Sequence, residues 1–280
     1  MRIIEGSSII DLVKEMCIEA NTCLPDDVKT ALSQVVESET FKGARDILEI
    51  IQRNAEIAEN KNVAMCQDTG MLVAFVEIGQ DVHIKGGHIE ELINEGVRQG
   101  YRDGFLRKSI VSDPIRRENT KDNTPAVIHY KILPGEVFNI TVAPKGFGSE
   151  NMSRLVMLKP SDGLEGVKRT ILETIEIAGP NPCPPIVVGV GIGGTFEKAA
   201  YMAKKALMRE LGSPHQDSFY DDLERQMLCE INALGIGPQG FGGQTTALGI
   251  HIEAAPTHIA GLPVAVNIGC HASRHVYRSL

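Results

Sequence analysis

The chain has 280 residues, 42% hydrophobic and 23% charged, with 28 Lys and Arg against 36 Asp and Glu, a net charge of −8. This ordinary globular composition excludes the disordered, collagen-like and disulfide-scaffold classes, and the acidic balance gives no counterion-release handle on DNA or RNA. No apolar run approaches the roughly 18–20 residues that a membrane-spanning helix needs, and Glu5, Asp11 and Glu15 stand where a signal peptide would be cationic and then apolar. The expected location is the cytoplasm, with no membrane and no nucleic-acid partner.

Residues 8–20, 25–37 and 41–59 carry apolar side chains at helical spacing, the last through Ala44, Ile47, Leu48, Ile51, Ala55 and Ala58. After Cys66 the pattern changes to strands at Met71–Ile78, Val82–Ile84, Ala126–Leu133 and Val137–Ala143, with Pro134-Gly135-Glu136 turning the last two into a hairpin. Helices return at 88–103, 161–178, 195–211 and 217–234, and Ile186–Val190, Thr245–Glu253 and Leu262–Ile268 read as further strands. The fold class is therefore α+β, an N-terminal helical layer followed by mixed and antiparallel sheets flanked by helices. With no linker, low-complexity tract or internal repeat in view, residues 1–280 read as one continuous domain.

Six cysteines in a cytoplasmic chain are read as thiols rather than three disulfides. Cys17, Cys23 and Cys229 fall in helices or the turn between two of them and take structural readings. The other three border strand-like runs: Cys66 opens Cys66-Gln67-Asp68-Thr69-Gly70, Cys183 lies in Asn181-Pro182-Cys183-Pro184-Pro185, and Cys270 follows Asn267-Ile268-Gly269. Strand ends are rigid platforms, so three such thiols suggest one site. Their separations of 117 and 87 residues are unlike structural zinc or bacterial ferredoxin spacings. Spacing alone leaves a shared metal site and three unrelated cysteines as equal readings.

Gly189-Val190-Gly191-Ile192-Gly193-Gly194 matches the dinucleotide G-x-G-x-x-G pattern between a strand and a helix. The helix that follows leads into Gly212-Ser213-Pro214 and another helix, not into a second strand ending in an acid, so the glycines are read as close backbone packing or room for a ligand near Cys183, with Thr195 capping the next helix.

Taken together, Cys66-Gln67-Asp68-Thr69-Gly70, Lys145-Gly146-Phe147-Gly148-Ser149-Glu150-Asn151, Asn181-Pro182-Cys183-Pro184-Pro185, Gly240-Phe241-Gly242-Gly243-Gln244-Thr245 and Gly269-Cys270 resemble the class I, iron-sulfur-dependent fumarase and L-tartrate dehydratase hydro-lyases, specifically the α subunit of their two-subunit form. The resemblance covers nearly the whole chain. It implies that Cys66, Cys183 and Cys270 ligate a 4Fe-4S cluster whose fourth iron stays open to a substrate hydroxyl and carboxylate. It also implies substrate contacts for Gln67, Arg107, Gly146, Gly148 and His258, and a proton-donor role for Asp68. Asp68 has a competing reading as the side chain of an Asx turn with Thr69-Gly70. Arg107 suits the bidentate pairing of a dicarboxylate substrate, Gly146 and Gly148 leave backbone N–H groups open to an anion, and Phe147 departs from the small residue of the family pattern.

The chain ends at Leu280, where single-chain relatives continue into a swivelling domain that carries further cations and the base. The resemblance therefore implies a separate β subunit and a two-α, two-β assembly. Reversible hydration of fumarate to malate is the leading activity, dehydration of tartrate or a related hydroxy-dicarboxylate such as methylmalate the alternative. A non-catalytic iron-sulfur sensor needs only the thiolates, and a zinc hydrolase is a further reading.

Overall fold

A computed structural model describes every residue from Met1 to Leu280. In chain order the elements are β1 (Arg2–Glu5), α1 (Gly6–Thr22), α2 (Asp26–Ser38), α3 (Lys42–Lys61), β2 (Met71–Gly79), β3 (Val82–Lys85), α4 (Ile89–Asp103), β4 (Val127–Leu133), β5 (Phe138–Lys145) and the single turn α5 (Phe147–Glu150). They continue with β6 (Arg154–Leu158), α6 (Gly163–Ala178), β7 (Ile186–Gly193), α7 (Phe196–Ala206), α8 (Ser218–Ala233), β8 (Ala247–Ala255), β9 (Leu262–Gly269) and β10 (Val276–Ser279). The α+β class is as the sequence indicates. No helix is long and apolar enough to cross a membrane.

The chain forms two compact units, one of Met1–Pro25, Asn54–Phe147 and Arg274–Leu280, the other of Asp26–Arg53 and Gly148–Ser273. It passes between them four times, after Pro25, inside α3, inside α5 and after Ser273, and none of these crossings is a stretch of linker composition.

The first unit holds a mixed sheet in the order β10-β5-β2-β4 and a small parallel pair, β1-β3. Leu72, Ala74 and Val76 of β2 and Phe138, Ile140 and Val142 of β5 pack against Ile9, Val13 and Cys17 of α1 and Ile93, Val97 and Tyr101 of α4. Each of the Leu, Ile, Val and Phe side chains among them, fully buried, contributes roughly 1.5–3 kcal/mol. The hairpin expected between β4 and β5 does not form. β2 lies between them, parallel to β4 and antiparallel to β5. The segment around Pro134-Gly135-Glu136 instead crosses the end of β2, taking N–H bonds from Gly79 to the Val137 carbonyl (2.8 Å), from Gln80 to Leu133 (2.8 Å) and from Asp81 to Gly135 (3.0 Å). β2 is buried on both faces through Leu72–Val76 and claims the position between β4 and β5, and Gly79 is required because a Cβ there would lie 2.1 Å from the Gly135 carbonyl oxygen.

The second unit holds a sheet in the order β6-β9-β7-β8, with β7 parallel to β8 and antiparallel to β9. Ile171 and Ile175 of α6 and Leu223, Met227 and Ile231 of α8 cover one face through Val188, Val190, Ile252 and Val266. The other face receives α7. A Cβ on Gly189 or Gly191 would meet the Ala203 or Ala199 carbonyl oxygen at 2.1 Å, so the glycine run exists for helix-on-strand contact. Thr195 stands at the N-cap of α7, yet its hydroxyl bonds the Glu197 carboxylate (2.8 Å) rather than a helix amide. That helix is also shorter than the expected 195–211, ending at Ala206.

The two sheets share one pairing pattern: a central strand (β2, β7) with a parallel edge strand on one side (β4, β8) and an antiparallel neighbour on the other (β5, β9), which is itself paired antiparallel to a short outer strand (β10, β6). In each, the turn from parallel edge to antiparallel neighbour crosses the C-terminal end of the central strand, and a Cβ on Gly193 would lie 2.1 Å from the carbonyl oxygen of Ala255, the last residue of β8 before that crossing. Four-stranded topology thus repeats where the sequence shows no repeat.

Candidate active site

In the first unit the candidate residues gather at the N-terminal end of β2. Met71 pairs with Lys145, so the Cys66–Gly70 loop that precedes β2 lies beside the Gly146-Phe147 segment that follows β5. Asp68 joins the two: its Oδ1 accepts the Gly70 N–H (3.1 Å) and its Oδ2 accepts the Phe147 N–H (2.8 Å). The Asx turn is therefore real and occupies only one oxygen. A Cβ on Gly146 would stand 3.1 Å from Asp68 Oδ2, so glycine keeps that oxygen approachable. The Asp68 N–H lies 3.4 Å from Cys66 Sγ.

Arg107 is an exposed residue in the loop that follows α4, and the Cys66–Gly70 loop holds it by its backbone. The Thr69 hydroxyl donates to the Arg107 carbonyl (3.0 Å), and buried Asn123 accepts the Ser109 N–H (2.7 Å) while donating to the Gly70 carbonyl (3.1 Å). Tyr101 donates to the carbonyls of Thr69 (2.7 Å) and Gly70 (3.0 Å), and burial pushes its phenol well above the ordinary range, which keeps it a donor. Buried Arg274 donates to the Asp68 carbonyl through Nη2 and to the Pro144 carbonyl through Nε (3.4 Å). The structure thus brings Cys66, Gln67, Asp68, the Arg107 segment and Gly146 to one end of this unit. Sequence reasoning missed the residues that hold them there. Asn123, at φ 63°, left only the weak signal of an Asn before Thr-Pro, and Tyr101 and Arg274 left none.

In the second unit Cys183 and Cys270 share the corresponding end of the sheet. Val187 pairs with Gly269, and the His271 N–H donates to the Cys183 carbonyl (3.3 Å). Gly148 opens this unit's next segment, with the space for a Cβ 3.8 Å from the Asn181 carbonyl of the cysteine loop. His258 is not brought to these residues. It lies in the exposed turn between β8 and β9, and β9 runs antiparallel to β7, so the six paired residues from Val187↔Gly269 to Ile192↔Val264 separate it from Cys270. That ladder spans roughly 17 Å at about 3.3 Å per residue. The Gly240–Thr245 motif wraps a buried carboxylate: Glu39 Oε2 accepts from the N–H of Gln244 (2.9 Å), the N–H of Thr245 (3.2 Å) and the Thr245 hydroxyl (3.1 Å).

No disulfide joins any of the six cysteines, and no three His, Cys, Asp or Glu side chains close on a single point as ligands of one ion. Thiolates of a multi-iron cluster bind different irons and need not converge so tightly. By chemical type the thiols suit such a cluster: Cys66 in the first unit, and Cys183 and Cys270 in the second, are loop thiols at strand ends with solvent access, and a backbone N–H faces the Cys66 sulfur, the kind of contact that tunes iron-sulfur centres. Cys17 is the opposite case, fully buried and with its thiol pushed far up by burial. Cys229 lies in α8 as expected but on its exposed face. Brief alkylation of the metal-free chain, read by peptide mass spectrometry, is expected to label Cys183 and Cys229 first and Cys17 only after denaturation; early labelling of Cys17 would contradict this burial pattern.

An acid, a thiol and an arginine-bearing segment are thus fixed at one sheet end of the first unit. Residues 10–278 match the fumarate hydratase (Fumerase) family, and the chain belongs to that family of hydro-lyases. It is 44% identical over 278 residues, 97% of each chain, to a Methanocaldococcus jannaschii protein provisionally named L(+)-tartrate dehydratase subunit alpha. It is 33% identical over 271 residues, 96% of this chain and 89% of the relative, to the L(+)-tartrate dehydratase subunit alpha of Escherichia coli K12, and equally so to that of Shigella sonnei.

Proposed function

We propose that the chain is the α subunit of a two-subunit hydro-lyase that dehydrates a four-carbon hydroxy-dicarboxylate, with L-tartrate as the leading substrate. The tartrate assignment is supported by the names of relatives that align over nearly the full chain. Interconversion of fumarate and malate, the leading reading from sequence, is the second candidate, supported by the family's description. The observation that carries the chemistry is Asp68, whose carboxylate is aimed by two backbone N–H groups beside Cys66 and the Arg107 segment.

Cys66, Cys183 and Cys270 would hold a 4Fe-4S cluster, which when bound supplies a Lewis-acidic iron for a substrate hydroxyl and carboxylate. The chain's own side chains do the rest of this half-site's work. Arg107 presents its guanidinium fork to a substrate carboxylate. Gly146 lets the substrate approach Asp68 Oδ2, where a proton is held or relayed. Gln67, exposed beside Asp68, hydrogen-bonds substrate oxygens, and Phe147, half exposed, narrows the approach. The remaining cations and the base belong to a separate β subunit, in an assembly of two α and two β chains located in the cytoplasm.

Anaerobic reconstitution with iron and sulfide tests the cofactor. About four irons per chain with broad visible absorption are expected, and Cys66→Ser, Cys183→Ser or Cys270→Ser should abolish them while Cys17→Ser, Cys23→Ser and Cys229→Ser do not. No iron in the wild type would sink the assignment. The loaded chain with its β partner, assayed on L-tartrate and on malate, then decides the substrate: a higher kcat/KM for malate would replace tartrate as the leading reading.

A further inference from the structure

The function proposed above leaves unused two residues that meet at the Cys183 loop. Cys183 adopts φ 56°, a left-handed conformation that a residue with a side chain enters only when its surroundings impose it. The surroundings here are specific. The Cys183 N–H donates to the Pro180 carbonyl (3.0 Å), closing the loop on itself. The Cys183 carbonyl accepts the His271 N–H (3.3 Å) and has His271 Nδ1 at 3.1 Å. The Pro184 carbonyl accepts two bonds from one residue, the Gln239 N–H and the Gln239 Nε2–H, both at 2.8 Å. Gln239 Nε2 also lies 3.2 Å from His271 Nδ1, so the two side chains touch over the loop.

Gln239 is itself at φ 53°, and it precedes the Gly240–Thr245 segment anchored by Glu39. His271 directly follows Cys270 at the end of β9. One contact chain therefore runs from the Glu39-anchored segment through Gln239 to the Cys183-Pro184 carbonyls and through His271 to Cys270. We propose that Gln239 and His271 are positioning residues that hold the Cys183 loop in its left-handed conformation and lock it to the Cys270 strand end, presenting the two thiols as one pre-set pair of ligands. The inference rests on the ligand roles proposed above for Cys183 and Cys270. It gives the Gly240–Thr245 motif a purpose: to seat Gln239.

Removing groups that orient a ligand characteristically lowers metal affinity roughly ten- to a hundredfold. The test uses the full chain, as wild type, Gln239→Ala, His271→Ala, the double variant and His271→Asn, whose amide nitrogen can replace Nδ1. Gln226→Ala in α8 is the control. Iron loss from the reconstituted chain to a chelator, under anaerobic conditions, is expected to be at least tenfold faster in the double variant and near wild type in His271→Asn and Gln226→Ala. Hydrogen exchange on the metal-free chain gives an independent readout: the Cys183 and His271 amides should exchange at least tenfold faster in the double variant while β7 amides keep their protection. Wild-type iron retention together with wild-type exchange in the double variant would overturn the proposal. Absence of iron from the wild type would instead remove the ligand assignment, and the exchange measurement would still decide whether Gln239 and His271 hold the loop. Loss of protection throughout β7 would show a general structural role and count against positioning.

Discussion

Gly191→Ala is expected to lower the stability of the second unit by about 3 kcal/mol, at the upper end of the usual range for overpacking. The added Cβ would sit 2.1 Å from the Ala199 carbonyl oxygen and 2.8 Å from the Ala203 amide nitrogen, and both are backbone atoms of α7 that no rotamer change can move. The helix itself has to retreat, which opens gaps against Ala265, with which Ala199 and Ala203 are buried. Gly189→Ala meets the Ala203 carbonyl oxygen at the same distance and should cost a similar amount. Because one retreat of α7 relieves both clashes, the double variant should cost less than the sum of the two, by a coupling of about 1–2 kcal/mol. Gly212→Ala, at φ 82° with nothing near the new Cβ, carries only backbone strain and is expected to cost about 1 kcal/mol. Urea unfolding followed by circular dichroism makes the comparison, and a Gly191→Ala midpoint equal to that of the wild type would contradict the packing argument.

The same glycines show what the sequence discloses and what it conceals. Their non-nucleotide reading follows from local evidence, a helix leading into Gly-Ser-Pro and another helix, and the structure gives them close packing on α7. The supposed β4-β5 hairpin fails for the converse reason. Turn chemistry at Pro134-Gly135 reports only that the chain reverses there; that β2, placed some fifty residues earlier, takes the position between the two strands is decided by burial on both its faces. β1 and β10 escape notice because each is four residues long and mostly exposed, with no alternation to detect. At the candidate site, residue types and strand-end positions mark the three cysteines, while the roles of Asp68 and Arg107 come from family resemblance. The hydrogen bonds that hold those residues come from Tyr101, Asn123 and Arg274, whose distance along the chain hides their connection. His258 illustrates the opposite limit: closeness to Cys270 in sequence becomes separation along an extended strand.

Asp68→Asn is expected to cut kcat roughly a hundred- to ten-thousandfold, the range associated with losing a general acid or base, with the iron content of the reconstituted chain unchanged. Asparagine separates the two readings of this residue because it is itself a favoured Asx-turn former. If the side chain served only the turn, the amide oxygen of the variant would accept the Gly70 N–H as the carboxylate does and turnover would stay near wild type. The second oxygen makes the difference. In the variant an NH2 group faces the Phe147 N–H where Oδ2 now accepts it at 2.8 Å, so one hydrogen bond is lost and two donors oppose each other. That costs about 1–3 kcal/mol, a loss visible as a shifted unfolding midpoint that leaves most of the chain folded. The kinetic loss should be far larger than this small destabilisation can produce and should fall on kcat more than on KM, since Arg107 and Gln67 still bind the substrate. Gly146→Ala provides the complementary case: it leaves the carboxylate chemically intact while placing a methyl 3.1 Å from Oδ2, and it should raise KM by obstructing approach to that oxygen. Wild-type kcat in Asp68→Asn with full iron content would confine Asp68 to holding the Cys66 loop and move the proton-transfer role to the partner subunit.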